Sequence, residues 1–111
     1  MLAPHKWNRE PMADLIVVCW RDIPAQVIVK RGRQSAKREL PLRFTEAIDM
    51  AAMRTGAGDS DAYLAEWRRM DPVPVGEDLE AEADKALADL DARYDREKLV
   101  ALVKAGGHDN L

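Results

Sequence analysis

Residues 15 to 20, Leu-Ile-Val-Val-Cys-Trp, form the longest uninterrupted apolar run in the chain, and β-branched and aromatic side chains dominate it. Such a run predicts a strand over Asp14 to Arg21, buried on both faces and therefore central in its sheet. Asp22, Ile23 and Pro24 break the run, because aspartate folds back onto a turn and proline offers no ladder donor. A weak alternation follows, with Val27 and Val29 on one side and Ile28 on the other, and predicts a second strand over Ala25 to Lys30 that pairs back as a hairpin. Gly32 permits another turn, and a third antiparallel strand is expected over Ser35 to Leu40. Its alternation sends Ala36, Arg38 and Leu40 one way and Lys37 and Glu39 the other.

After Pro41 the period lengthens. Phe44, Ala47, Ile48 and Ala51 fall at helical spacing, and the helix they predict ends near Arg54, where "TGAGDS" supplies a stop and Asp59 or Ser60 the next N-cap. Tyr63, Leu64 and Trp67 share one face of a short second helix that ends around Met70. "DPVPVG" cannot continue it and reads as a short edge strand or an extended crossover. Leu79, Ala83, Ala86, Leu87 and Leu90 then repeat on one stripe behind an acidic first turn, but the phase changes near Tyr94 and Asp95. Two helices are therefore expected, Glu77 to Arg93 and Arg96 to Ala105, with Asp95 capping the second and Gly106 or Gly107 ending it. The alternative is one kinked helix docked on a partner, since the alanine-rich stripe offers little bulk of its own.

These elements specify an α+β fold: a small antiparallel sheet near the N-terminus, covered by helices, with a C-terminal helical pair. The expected organisation is an N-terminal arm over residues 1 to 13, a domain over 14 to 75 and a helical extension over 76 to 111. The arm carries two prolines and Trp7 and no sustained period.

Composition narrows the class. At 111 residues, with 47% hydrophobic and 33% charged side chains, the chain suits one modest core with a wet surface. No apolar run approaches the roughly 20 residues that cross a bilayer, and the N-terminus lacks the layout of a secretory signal. With a lone cysteine, Cys19, no internal disulfide is possible, so the expected compartment is the cytoplasm. The net charge of −3 hides a division into a basic half through Arg43 and an acidic half beyond it, carrying +5 and −8. Such asymmetry marks either a polyanion-binding end or charges that steer the protein's own packing or its assembly.

No residue cluster spells out catalysis. Cys19 would need a neighbouring positive charge or a helix end to become a nucleophile, and within "IVVCWR" it reads as a buried core residue. His5 and His108 lie near opposite termini and not at metal-ligand spacing, and the acids from Glu77 to Asp84 spread around a helix with no calcium-loop pattern. Glu46 and Asp49 are adequately explained as surface neighbours, and "TGAGDS" lacks the lysine of a phosphate loop. Neither a metal nor a cofactor is implied. The stretch from Trp20 through Arg43 is the best binding candidate: Trp20 offers a stacking face, and Arg21, Arg31, Arg33, Lys37 and Arg38 offer donors for phosphate or carboxylate, with Trp67, Arg68 and Arg69 as an adjoining anchor. A single adjoining aromatic and an acidic overall balance disfavour nucleic acid.

The hairpin around "CWRDIPAQV", the helix start "RFTEAID" and the helix "AYLAEWRR" resemble the small bacterial domain family labelled virulence factor, over roughly residues 14 to 70. A domain of the same kind is associated with the larger conserved virulence factor C proteins, which implies an attachment or accessory role. The resemblance carries no catalytic residues onto this chain, and the tail after Pro72 lies outside it.

The expected function is accordingly non-catalytic. The chain should be an accessory module of a bacterial complex that binds another protein, or a second copy of itself, through a basic sheet edge, because lysine and arginine guard such an edge while leaving it open to a chosen strand. On this expectation, reversing Arg31 and Arg38 to glutamate weakens the complex and leaves folding intact. The alternative is a subunit of a metabolic enzyme that binds a small phosphorylated or polycarboxylate anion. A third reading, an enzyme using Cys19 or acidic residues, requires an enclosed pocket and a strongly perturbed group.

Overall fold

In the computed structural model, which describes residues 12–109, the apolar run lies in the middle of a five-stranded antiparallel sheet. The elements follow in the order β1 (Ala13–Trp20), β2 (Ile23–Arg31), β3 (Gln34–Glu39), α1 (Leu42–Arg54), α2 (Ser60–Ala65), β4 (Trp67–Arg69), β5 (Val73–Val75), α3 (Leu79–Arg93) and α4 (Arg96–Lys104). The fold is α+β with a C-terminal helical pair. The arm predicted ahead of the sheet, with His5 and Trp7, lies almost wholly outside the described residues. One edge of β1 is taken by β2; the other is shared, with β4 pairing Val18 to Trp20 and β5 pairing Ala13 to Leu15. β3 pairs only with β2 and forms one outer edge of the sheet, with β4 and β5 forming the other.

Three local expectations give way to tertiary pairing. The hairpin turn is Arg21 and Asp22 alone, and Ile23 and Pro24 already belong to β2. Pro24 is accommodated where the register shifts beyond Val18, so that Cys19 faces Pro24 instead of the next residue in line. Helix α2 stops at Ala65, not near Met70, because Trp67 to Arg69 form β4: the backbone N–H of Arg21 bonds the carbonyl of Glu66 at 3.0 Å, and Trp67 then pairs with Trp20. An unpaired strand edge beside a tryptophan outweighs the helical period of "AYLAEWRR". Burial of β1 on both faces is only partial, since Leu15, Val17 and Val18 remain half-buried and Asp14 is exposed.

The helical stripes close the core on one side of the sheet. Phe44, Ala47, Ile48 and Ala51 of α1 meet Trp20, Ile23 and Val27, while Leu90 of α3 and Leu99 and Leu102 of α4 complete the cluster. Ala83 of α3 lies against Ala13, Val29 and Ala36, a patch of small side chains that lets the helix approach β2 and β3 closely. The alanine-rich stripe is therefore spent on proximity to the sheet. Asp59, Asp78 and Asp95 each accept a backbone N–H in the first turn of α2, α3 and α4. After α4, Gly106 and Gly107 adopt φ of 71° and 91° and bring the chain back to the hairpin turn, where a Cβ on Gly107 would stand 3.0 Å from the Trp20 ring.

The acidic half docks onto the basic half. Arg38 bonds Asp84 at 2.9 Å and also Glu80, Arg31 lies 3.7 Å from Glu77, and Arg43 bonds the Asp91 carboxylate at 2.6 Å and the carbonyl of Tyr94. Part of the charge asymmetry read from the sequence is consumed in these contacts of β2, β3 and α1 with α3 and the residues just ahead of it.

Phe44→Ala should cost about 3–5 kcal/mol by opening a cavity under α1, whereas Asp95→Ala should cost about 1 kcal/mol by uncapping α4. Urea unfolding monitored by circular dichroism measures both, and a smaller loss at Phe44 than at Asp95 would contradict this core assignment.

Candidate functional site

Strand alternation sorts the basic residues into two populations. Arg38 projects toward α3, while its neighbour Lys37 projects from the opposite face of the sheet, where it lines a depression with Ile28, Lys30, Arg33 and Arg69. Arg38 is tied to acids of α3 and Arg31 to Glu77 just ahead of it, and Arg68 bonds the Asp22 carboxylate at 2.6 Å. Arg21 is more deeply engaged: its guanidinium donates to the carbonyl of Gly106 at 2.8 Å and lies 4.8 Å over the Trp20 ring, with Glu66 at 3.4 Å. Trp20 has no exposed surface and donates its indole N–H to the carbonyl of Tyr63, so it is an interior anchor and not a stacking platform.

Of the residues singled out from the sequence, Arg33, Lys37 and Arg69 line this depression on the face away from the helices, whereas Trp67 packs against the main core and lines a neighbouring cleft. Lys30 joins them. Lys30, Arg33, Lys37 and Arg69 are exposed and have no ionic partner among the described residues. Their depression has a volume of about 200 Å³ and is otherwise lined by Gly32, Gln34, Ser35 and Ile28. The phase of Lys30 with Ile28 on β2 is the sequence signal that places it here.

Beside the basic depression lies a cleft of about 410 Å³, lined by Val18, Ala25, Gln26, Glu39, Leu40, Leu42, Thr45 and Trp67. Trp67 is held at its wall by an edge-to-face contact with Tyr63, with ring centres 5.9 Å apart. Leu42, the first residue of α1, is 71% exposed at the rim. The sequence pattern could not reveal this cleft, because it joins the start of one helix to strands far away in the chain.

A third cleft, of about 300 Å³, opens between β1 and the end of α3, with Cys19, Pro24 and Leu90 in its lining and Asp22, Arg68 and Arg93 among its polar groups. Burial pushes the Cys19 thiol up to about 11, against the pull of Arg68 and with a smaller push from Asp22. Burial likewise raises Tyr94 above the usual phenol range. A thiol raised this far is mostly protonated at neutral pH, the reverse of an activated nucleophile. Among the described residues, no three His, Cys, Asp or Glu side chains gather where they would hold a metal ion, and no helix is long and apolar enough to cross a membrane.

A family model described as virulence factor matches residues 18–103. The chain belongs to the virulence factor family. The match runs from β1 almost to the end of α4, well past the span of roughly 14 to 70 on which the resemblance rested, so the helical pair lies within the family's span. All of the basic depression and the apolar cleft fall within it. No curated protein and no solved structure is similar to the chain.

Cys19 in the folded protein should react with iodoacetamide at pH 8 much more slowly than a free thiol, and urea unfolding should restore the free rate. Alkylation of the native protein at the free-thiol rate would show that the residue is neither buried nor raised.

Proposed function

We propose that this chain is a non-catalytic accessory module of the bacterial cytoplasm that binds a partner protein through the open face of its sheet. The observation that carries the reading is the division of charge: Arg31, Arg38 and Arg68 are tied to acids of the chain itself, whereas Lys30, Arg33, Lys37 and Arg69 share one face and form no ion pair among the described residues, although Asp14 stands across the strands from Lys30. Unneutralised cations crowded on one surface repel one another, and a partner that supplies negative charge relieves that repulsion. The outer strand β3 borders this face, so a partner segment reaches a strand edge as well as charged side chains. Arg31 and Arg38 are not the residues to test, because their ion pairs with Glu77 and with the acids of α3 make them part of the packing.

A second reading, a small phosphate or polycarboxylate ligand, draws on the size of the basic depression, about 200 Å³, and on its polar lining.

The tagged full chain should retain a stoichiometric protein from its native cells at low salt and release it as salt rises. Lys37→Glu combined with Arg69→Glu should abolish retention without moving the thermal midpoint, since both side chains are exposed. Retention unaffected by the double substitution would sink the proposal. A rise in thermal midpoint with phosphate or citrate, lost in the same variant and unaccompanied by any retained protein, would favour the small anion.

A further inference from the structure

We infer that the open face takes an extended acidic segment of the partner, with one bulky apolar side chain about four residues from its carboxylates. This rests on the protein-binding reading above and gives that partner a chemistry. The apolar cleft and the basic depression are consecutive stations along the same strands. Gln26 and Glu39 pair across β2 and β3 and line the cleft; one pleat further on, Ile28 and Lys37 pair and line the depression. From Gln26 to Lys30 along β2 is roughly 13 Å, a length an extended segment covers in about four residues.

The two stations differ in what they accept. Lys30, Arg33, Lys37 and Arg69 call for carboxylates at one end. At the other, Val18, Leu40, Leu42 and Trp67 offer apolar surface in a cleft of about 410 Å³, large enough for a leucine or phenylalanine side chain. Trp67 is already fixed against Tyr63, so little ordering is needed when a side chain enters. Glu39 stands at the apolar station and repels a carboxylate placed there, which sets the direction of the segment.

Glu77, Glu80, Asp84 and Asp91 are spent on the chain's own arginines, so the segment that docks on the sheet supplies no carboxylate to the depression, and an acidic segment is the occupant its charge favours.

The test uses the full chain and fluorescein-labelled peptides. The first, Gly-Phe-Ser-Gly-Ser-Glu-Glu-Gly, carries the proposed spacing; a second moves the glutamates next to phenylalanine; a third replaces phenylalanine with serine. Anisotropy at low salt should show the first binding about tenfold tighter than either of the others. Lys37→Glu with Arg69→Glu should abolish binding of the first peptide. Leu42→Ser, at a side chain 71% exposed and so without consequence for folding, should weaken the phenylalanine peptide and leave the serine peptide unchanged, with Trp67→Ala giving a larger effect of the same kind. Equal affinity for all three peptides, or equal losses on Leu42→Ser with phenylalanine and with serine, overturns the inference. If that happens while the cellular partner is still lost from the Lys37 and Arg69 variant, the protein-binding reading stands and only the acidic-apolar segment falls. If the variant keeps its cellular partner, both fall.

Discussion

Consecutive residues of a strand point to opposite faces, so a sheet covered by helices on one side divides its charges into a helix-facing set and an open set. That constraint governs this molecule. On β3, Ala36 and Arg38 face the helices, where Ala36 packs under Ala83 and Arg38 reaches Glu80 and Asp84. Lys37, between them, has nowhere to go but the other side. The attachment of α3 and the basic character of the open face are thus two results of one alternation. Small side chains at Ala13, Ala36 and Ala83 bring α3 near enough for its acids to reach the arginines.

The hairpin turn anchors the opposite end. Arg21 adopts φ of 51°, an uncommon value for a residue with a side chain, and its guanidinium spans Trp20 and the carbonyl of Gly106. The next residue, Asp22, binds three ways: its N–H donates to Gly107, and its carboxylate accepts from Arg68 and from the N–H of Asp109. One turn therefore joins the sheet, β4 and the end of the chain. Because β4 also carries Trp67 and Arg69, the same turn positions the wall of the apolar cleft and one cation of the basic depression. Side chains held by such bonds need little ordering when a ligand arrives.

Net charge is a poor guide to a surface of this kind. The chain as a whole is acidic, at −3, yet its open sheet face carries Lys30, Arg33, Lys37 and Arg69 together, because acids are concentrated on α3 and are partly cancelled by arginines from the strands. What a partner senses within a Debye length is the local excess, not the sum.

The strand from Asp14, the hairpin that follows, the start of α1 and the caps at Asp59 and Asp95 were legible because each depends on neighbours a few residues away: a side-chain period, a proline, an aspartate facing its own first turn. The same local rule separated Arg38 from Lys37. Local rules failed at Trp67 to Arg69, where a helical pattern became a strand because an edge of β1 lay open to it, and at Trp20, which reads as a stacking face but is sealed beneath Tyr63. The sequence by itself determined the fold class, the order of most elements and the alternation of charge along β3. Only the tertiary structure decided which cations are neutralised and which are left exposed, since that depends on where α3, more than 40 residues further along the chain, lays its acids against the sheet.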